Sequence, residues 1–140
     1  MSFITRSLQF TLNHTPINKS LQANHTINNV IKRYFAVHNM SSDSELRDLI
    51  SQNKSKLVIV DWSASWCGPC KQIAPIYNKL SEQYSNAVFI KCDVDELSSS
   101  ASDAGVQGVP TFHFIKNDEL VDEFTGADSQ KVVQTIEKHQ

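Results

Sequence analysis

The feature that most constrains the fold of this chain is a pair of cysteines between an apolar run and a helical pattern. The run Leu57-Val58-Ile59-Val60 is typical of a strand that is buried on both faces of a sheet. Cys67 and Cys70 follow this run after a short loop. From about Cys67 to Tyr84, apolar residues recur at helical spacing, with an inner face made of Ile73, Ile76, Tyr77 and Leu80. The segment therefore predicts a buried strand that leads into a helix, with both cysteines in the first helical turn.

The position of the two cysteines gives them a specific chemistry. Residues i and i+3 of a first helical turn lie about 5–6 Å apart, which is within the Cα range of a disulfide. A helix N-terminus carries about half a positive charge, which favours the thiolate of Cys67 and lowers its pKa. Pro69 costs little there, because its missing N–H has no partner to lose. Since the thiolate is the attacking species in disulfide exchange, the pair predicts a reversible thiol–disulfide couple.

A zinc half-site is an alternative interpretation of two cysteines at this spacing. Zinc needs two further ligands, and neither Cys92 nor the five histidines form a second pair at ligand spacing, so we predict no metal. Three cysteines also argue against a secreted disulfide scaffold and favour a reducing compartment. Cys92 lies on a predicted central strand, where a buried free cysteine acts as a small apolar residue. A regulatory thiol is the alternative for Cys92.

The rest of the body alternates between helical and strand patterns. A capping box at Ser42 to Glu45 predicts a first helix, and Ala87 to Cys92 is typical of a second buried strand. The further predicted elements are an edge strand near Phe35 to His38, a short helix from Leu97 to Ala104 that ends at Gly105, strands at Thr111 to Lys116 and Glu119 to Thr125 joined by an Asn117-Asp118 turn, and a last helix capped by Asp128 or Ser129. This order predicts an α/β domain with a mixed central sheet.

Residues 1–35 differ from the rest of the chain in charge. No Asp or Glu occurs before residue 43, whereas the later residues hold all 15 acidic residues and nine of the 13 basic ones. From Ile27 to Phe35, apolar residues follow helical spacing, and Lys32 and Arg33 point away from that face, as in a mitochondrial transit peptide. We therefore predict a transit peptide over residues 1–35 and a mature matrix domain over residues 36–140. An Asn-rich extension on a cytoplasmic protein is the alternative.

Charge and hydropathy also argue against two classes of function. The acidic body lacks the basic face that a nucleic-acid-binding protein needs. No run of about 18 apolar residues is present, so the sequence predicts no helix that spans a membrane.

The segment Trp66-Cys67-Gly68-Pro69-Cys70 resembles the active-site motif of the thioredoxin family. The likeness extends over about residues 36–140. It includes Val60 to Ala64, Lys71, Pro75, Lys91, Val109-Pro110-Thr111 and Gly126-Ala127. The resemblance implies the thioredoxin fold, a central mixed sheet flanked by helices on both faces. It also implies that the chain reduces disulfides in other proteins by dithiol–disulfide exchange.

The resemblance implies a catalytic role for three residues. Cys67 would attack a substrate disulfide, and Cys70 would then attack Cys67 and release the reduced substrate. Asp61 would lie buried beneath the motif, where desolvation raises the pKa of a carboxyl, and would deprotonate Cys70. A charged residue at an exposed strand end is the alternative for Asp61. Lys91 would lie near Asp61 and tune it.

The resemblance also implies a surface where an extended peptide docks. Pro110 would be cis, beside Cys67, and would present the Val109 backbone to the substrate. An ordinary trans proline is the alternative. The flat apolar rim would consist of Trp66, Gly68, Pro69, Gly126 and Ala127. Gly68 and Pro69, which lie between the two cysteines, would also tune the pKa values of the thiols. Trp62, inside the strand, fits a core position better than Trp66 does.

No bound cofactor is implied, because the electrons reside on the two sulfurs. The resemblance implies a monomer recharged by an NADPH-dependent thioredoxin reductase, with peroxiredoxins and other oxidised matrix proteins as clients. An oxidase or isomerase of secreted proteins is a second enzymatic interpretation. The Gly68-Pro69 dipeptide and the lack of a secretory signal or retention motif argue against it. A non-catalytic docking or metal-binding module with this fold is the remaining alternative.

Overall fold

The computed structural model describes residues 36–140, so the predicted transit peptide lies outside the described residues. Within that range the chain forms one five-stranded mixed sheet and four helices. The strands are β1 (His38–Asn39), β2 (Val58–Ser63), β3 (Val88–Asp93), β4 (Thr111–Lys116) and β5 (Glu119–Thr125), and the helices are α1 (Asp43–Gln52), α2 (Gly68–Gln83), α3 (Ser98–Asp103) and α4 (Ser129–His139).

The strands lie in the order β1-β3-β2-β4-β5. β1 and β2 both pair with β3 in parallel, whereas β4 runs antiparallel to β2 and β5 antiparallel to β4. The tight connection between β4 and β5 has Asn117 and Asp118 at φ 55° and 63°, the positive values that a two-residue hairpin turn requires. The predicted thioredoxin fold is thereby confirmed.

β2 is the central strand, and its two faces belong to different hydrophobic clusters. Ile59 packs in a cluster with apolar residues of α2, β4 and α4. Val58 and Val60 pack in a second cluster with apolar residues of α1, β3 and α3. Because helices cover both faces, the strand carries the nearly continuous apolar run seen in the sequence.

The helix that follows β2 is nearly as predicted, with one error on its inner face. Ile73, Tyr77 and Leu80 are buried as expected, whereas Ile76 is 41% exposed. Ile76 was therefore wrongly assigned to the core. Ile76 lies in an open groove between α2 and α4, where Val133 is one of its neighbours.

Two further features differ from the sequence-based expectation: the position of the edge strand and the cap of α1. The edge strand is His38–Asn39, later in the chain than the predicted Phe35 to His38. The capping box is only half formed, because Ser42 Oγ accepts from the Glu45 N–H (3.2 Å) but the Glu45 carboxylate accepts from the Ser41 N–H (2.9 Å).

In residues 36–140, no helix combines the length and apolarity needed to cross a membrane.

Candidate active site

Cys67 and Cys70 lie where β2 gives way to α2. Cys67 is the N-cap of α2, one position before the predicted first turn, and Pro69 occupies that turn. The two cysteines form a disulfide with a Cα–Cα distance of 5.3 Å, so the structure shows the oxidised state. Cys67 Sγ accepts a hydrogen bond from the Cys70 N–H at 3.2 Å. A sulfur that receives a helix N–H is stabilised as an anion, because the N–H groups there have no partners within the helix.

Asp61 lies in β2, earlier in the chain than the two cysteines, and is only 1% exposed. The predicted burial of this carboxyl is therefore confirmed. Neither of its oxygens has a hydrogen-bond partner among the described residues. Burial in this unpaired state raises the pKa of Asp61 to about 7, and the positive charge of Lys91 opposes that rise. A carboxyl with such a pKa can both accept and release a proton near neutral pH.

Lys91 lies directly beside Asp61, as predicted, since the two residues are register partners in the parallel pair of β2 and β3. Both line an open cavity of about 840 Å³. A second cavity of about 470 Å³ is lined by Cys70, Ala74 and Lys91, so Ala74 and Lys91 border both spaces. Asp61 borders the first cavity and Cys70 the second, and Lys91 and Ala74 lie between the two spaces.

The loop before β4 faces the cysteine pair. The Val109–Pro110 peptide bond is cis, as predicted, and the Val109 carbonyl oxygen lies 3.8 Å from Cys67 Sγ. The Pro110 carbonyl accepts from the Gly126 N–H at 2.8 Å, which connects this loop to the end of β5. Gly126 has φ +116°, a backbone conformation that L side chains rarely adopt. Val109, Pro110 and Gly126 thus lie together beside the disulfide, with Pro110 buried and the other two residues half-buried.

The two tryptophans differ in exposure as predicted. Trp62 is buried in the core of the sheet, whereas Trp66 is 68% exposed. The Trp66 indole N–H donates to Asp95 Oδ2 at 2.9 Å, which holds the exposed ring against the loop that follows β3. Gly68, Pro69 and Ala127 are also exposed. Asp95 was missed by the sequence analysis, because nothing in its local sequence indicates a partner 29 positions away.

Cys92 is fully buried in β3, which confirms the predicted burial. Burial raises the pKa of its thiol to about 12, with smaller contributions from the charges of Asp61 and Asp43. The thiolate is therefore strongly disfavoured there at neutral pH. Over residues 36–140, no group of three or more His, Cys, Asp or Glu side chains is placed to hold a metal ion.

Comparison with known proteins identifies the family of this chain. The thioredoxin family model matches residues 37–138. Thioredoxin from Equus caballus is 45% identical over 100 residues, which is 71% of this chain and 95% of the relative. Thioredoxin-1 from Schizosaccharomyces pombe is 46% identical over the same shares of the two chains.

Solved structures agree with the sequence relatives. The reduced thioredoxin pre-protein of Schistosoma mansoni superposes with a TM-score of 0.73 at 44% identity, over 75% of this chain and 99% of that one. A chain from a study of thiol resolution in yeast mitochondrial 1-Cys peroxiredoxin by the glutathione and thioredoxin systems has a TM-score of 0.67 at 31% identity. That match covers 75% of this chain and 97% of the other. With a redox disulfide at the start of α2, the chain belongs to the thioredoxin family of thiol–disulfide oxidoreductases.

Proposed function

We propose that the chain reduces protein disulfides in two exchange steps, with Cys67 as the attacking residue and Cys70 as the resolving residue. The observation that carries this assignment is the hydrogen bond from the Cys70 N–H to Cys67 Sγ at the helix N-cap. It favours negative charge on Cys67 specifically, and the thiolate is the nucleophile. Cys67 Sγ also lies 3.8 Å from the carbonyl oxygen of the half-buried Val109, whereas Cys70 borders the cavity that Lys91 also lines.

The two steps balance in sulfur bonds and protons. The Cys67 thiolate attacks one client sulfur, the client disulfide breaks, and the departing client thiolate takes up a proton. Cys70, after losing its proton, attacks Cys67 Sγ, so that the mixed disulfide breaks and the Cys67–Cys70 disulfide forms. The second client sulfur departs as a thiolate and takes up a proton from solvent, so the client leaves as a dithiol and the chain is left in the oxidised state that the structure describes.

Asp61 is the proposed acceptor of the Cys70 proton. Its carboxyl has a pKa of about 7 and no hydrogen-bond partner in residues 36–140, and it borders a cavity whose lining residues Ala74 and Lys91 also line the cavity beside Cys70. Water in these cavities would carry the proton between the two groups. The Lys91 charge limits the rise in the pKa of Asp61 and so keeps the carboxyl able to release the proton again.

The surface around Cys67 is the proposed docking site for clients. Its members are Trp66, Gly68, Pro69, Val109, Pro110, Gly126 and Ala127. The exposed Trp66 ring offers apolar area, and the Val109 carbonyl offers a main-chain acceptor to an extended segment of the client. Such a site fits many sequences, because main-chain hydrogen bonds do not depend on the client side chains.

An insulin-reduction assay with single variants tests these roles. Cys67→Ser is expected to abolish turnover, whereas Cys70→Ser is expected to accumulate a mixed disulfide that a non-reducing gel detects. Cys92→Ala is the matched control, because Cys92 lies outside the site and should leave turnover unchanged. Undiminished insulin reduction by Cys67→Ser would contradict the proposal.

The midpoint potential of the Cys67–Cys70 couple tests the direction of electron flow. A value near −270 mV, the one established for thioredoxin, is expected of a reductant, whereas a value near −120 mV is typical of a strong protein oxidant. A metal-loaded protein without turnover would instead favour the non-catalytic module.

We further propose an NADPH-dependent thioredoxin reductase as the electron donor, peroxiredoxins among the clients, and the mitochondrial matrix as the location. The basic, acid-free residues 1–35 and the likeness to a chain studied with a yeast mitochondrial peroxiredoxin support these assignments. N-terminal sequencing of the protein isolated from cells should give Ala36. An intact Met1 or Ser2 would contradict the matrix assignment while leaving the disulfide chemistry untouched.

A further inference from the structure

His113 is a buried histidine that the proposed mechanism does not use. It lies in β4, is 4% exposed, and has a polar partner for each ring nitrogen. The Trp62 indole N–H donates to His113 Nδ1 at 3.1 Å. His113 Nε2 lies 3.3 Å from Glu123 Oε2, and the Glu123 side chain is 59% exposed. These three residues form a connected network across β2, β4 and β5, which we call the Trp62–His113–Glu123 network.

The network fixes the charge state of the histidine. An indole N–H can only donate, so His113 Nδ1 must be an unprotonated acceptor. The ring proton then lies on Nε2, directed at the Glu123 carboxylate, and the imidazole is neutral. A second proton on Nδ1 would place two donors against each other, and the Trp62 hydrogen bond would be lost.

The network lies beneath the loop that leads to Pro110. His113 and Glu123 line a cavity of about 250 Å³ whose other walls include Gly105 and Gln107 of that loop. Thr111, two positions before His113, donates to the Gly108 carbonyl at 2.6 Å and is the register partner of Trp62. The Thr111–Gly108 hydrogen bond, which holds the loop of residues 105–109, therefore lies next to the Trp62–His113 hydrogen bond on the sheet.

We propose that the Trp62–His113–Glu123 network is a proton-sensitive switch, in which protonation of His113 releases Trp62 and loosens the loop of residues 105–109. The released imidazolium would turn toward Glu123 and the cavity, where its charge can be paired and hydrated. The proposal concerns the support of the docking surface and is independent of which cysteine attacks.

The surroundings of His113 set the pH range of the switch. β2 contributes the uncharged Trp62, the loop contributes Gln107, and β5 contributes Glu123, the one charged group that acts on the pKa of His113 in the described residues. Burial lowers the pKa of His113 from its usual 6.5, and the Glu123 charge partly opposes this effect. A lowered pKa means that the neutral form predominates at pH 6.5 and above, and that the network is lost progressively as the pH falls through the lowered pKa.

Nuclear magnetic resonance of the oxidised protein between pH 7.5 and 4.5 tests the switch. The Trp62 indole proton and the His113 ring carbon are expected to shift with one common midpoint below pH 6.5. At the acid end, hydrogen exchange of the Trp62 indole and of the residue 105–109 amides should be about tenfold faster than in His113→Gln at the same pH, which corresponds to one lost hydrogen bond.

Three variants separate this switch from other titrations. His113→Gln keeps an acceptor for Trp62 but cannot titrate, so its indole signal should not move with pH. Glu123→Gln removes a surface charge and should move the midpoint to lower pH, which keeps the test valid if His113→Gln does not fold. Asp61→Asn removes the neighbouring titration and should leave the transition in place. A transition that vanishes in Asp61→Asn, or loop amides that exchange no faster while His113 titrates, would overturn the proposal.

Discussion

Replacing Asp61 by Asn is expected to stabilise the protein, and to stabilise it more at pH 7 than at pH 5. Asn has nearly the shape and polarity of the protonated carboxyl, so the two side chains are comparable when Asp61 is neutral. The carboxylate is different, because it is an unpaired charge in a site that is 1% exposed. Desolvation of that charge is what raises the pKa of Asp61 to about 7.

The size of the effect follows from the two pKa values. The usual pKa of the carboxyl is 3.8, and the folded value is about 7, so between pH 5 and pH 7 the unfolded chain is ionised while the folded chain holds a proton. The folded state binds one proton more, and the free energy of unfolding falls by about 1.4 kcal/mol per pH unit. Because the folded carboxyl is already half ionised at pH 7, the slope lessens there, and over the two pH units the Asn variant should gain about 2 kcal/mol relative to the parent protein.

Urea unfolding of the oxidised proteins, followed at pH 5, 6 and 7, measures this difference. The disulfide keeps Cys67 and Cys70 from titrating, and the pH dependence of His113 is common to both proteins and cancels in the difference. Asp48→Asn, at an exposed carboxyl of α1 outside the site, is the matched control, because it makes the same chemical change without altering a buried group. A gain at Asp61 that stays constant from pH 5 to pH 7 would refute the assigned cause of the pKa.

Three further substitutions test separate parts of the molecule. Trp66→Ala removes the exposed ring of the docking surface, so KM for insulin should rise about tenfold while reduction of a small aromatic disulfide changes little. Lys91→Met removes the charge that lowers the pKa of Asp61, so the pH profile of client release from the mixed disulfide should move to higher pH. Ser42→Ala removes the acceptor that caps α1 and should cost about 1 kcal/mol in urea unfolding, with unchanged insulin reduction.

Most of the strand–cysteine–helix unit could be predicted from the sequence, because its determinants are local. The apolar run at β2, Pro69 in the first turn of α2, and the i, i+3 spacing of the cysteines each constrain the backbone within a few residues. The burial of Asp61 could also be predicted, since four apolar residues precede it in a strand covered on both faces. The roles of these residues required the family resemblance, which spacing alone does not supply.

The errors and omissions have a common physical cause. Ile76 fits the helical period of α2 but lies exposed in an open groove beside α4, and the position of α4 is a tertiary property. His113 occupies an apolar strand and has no local signal, because Trp62 is 51 positions earlier in the chain. The residue that holds Trp66 in place, Asp95, belongs to another loop. Contacts between distant segments are thus what the sequence patterns left undetermined.

The Cys67 thiol and the Asp61 carboxyl lie in opposite electrostatic environments, and this difference explains why one group attacks the client and the other transfers a proton. Cys67 receives a helix N–H, so its anion is favoured and it can begin the exchange. Asp61 receives no hydrogen bond from the described residues, so its anion is disfavoured and its pKa rises to about 7, where it can take up and release a proton. An apolar residue at position 61 would remove the cost of burying this carboxylate, yet it could not take the proton from Cys70. An Asp61→Leu variant should therefore be more stable than the parent at pH 7 and slower in the Cys70 step, and a variant that was both more stable and equally fast would show that the carboxyl has no part in the reaction.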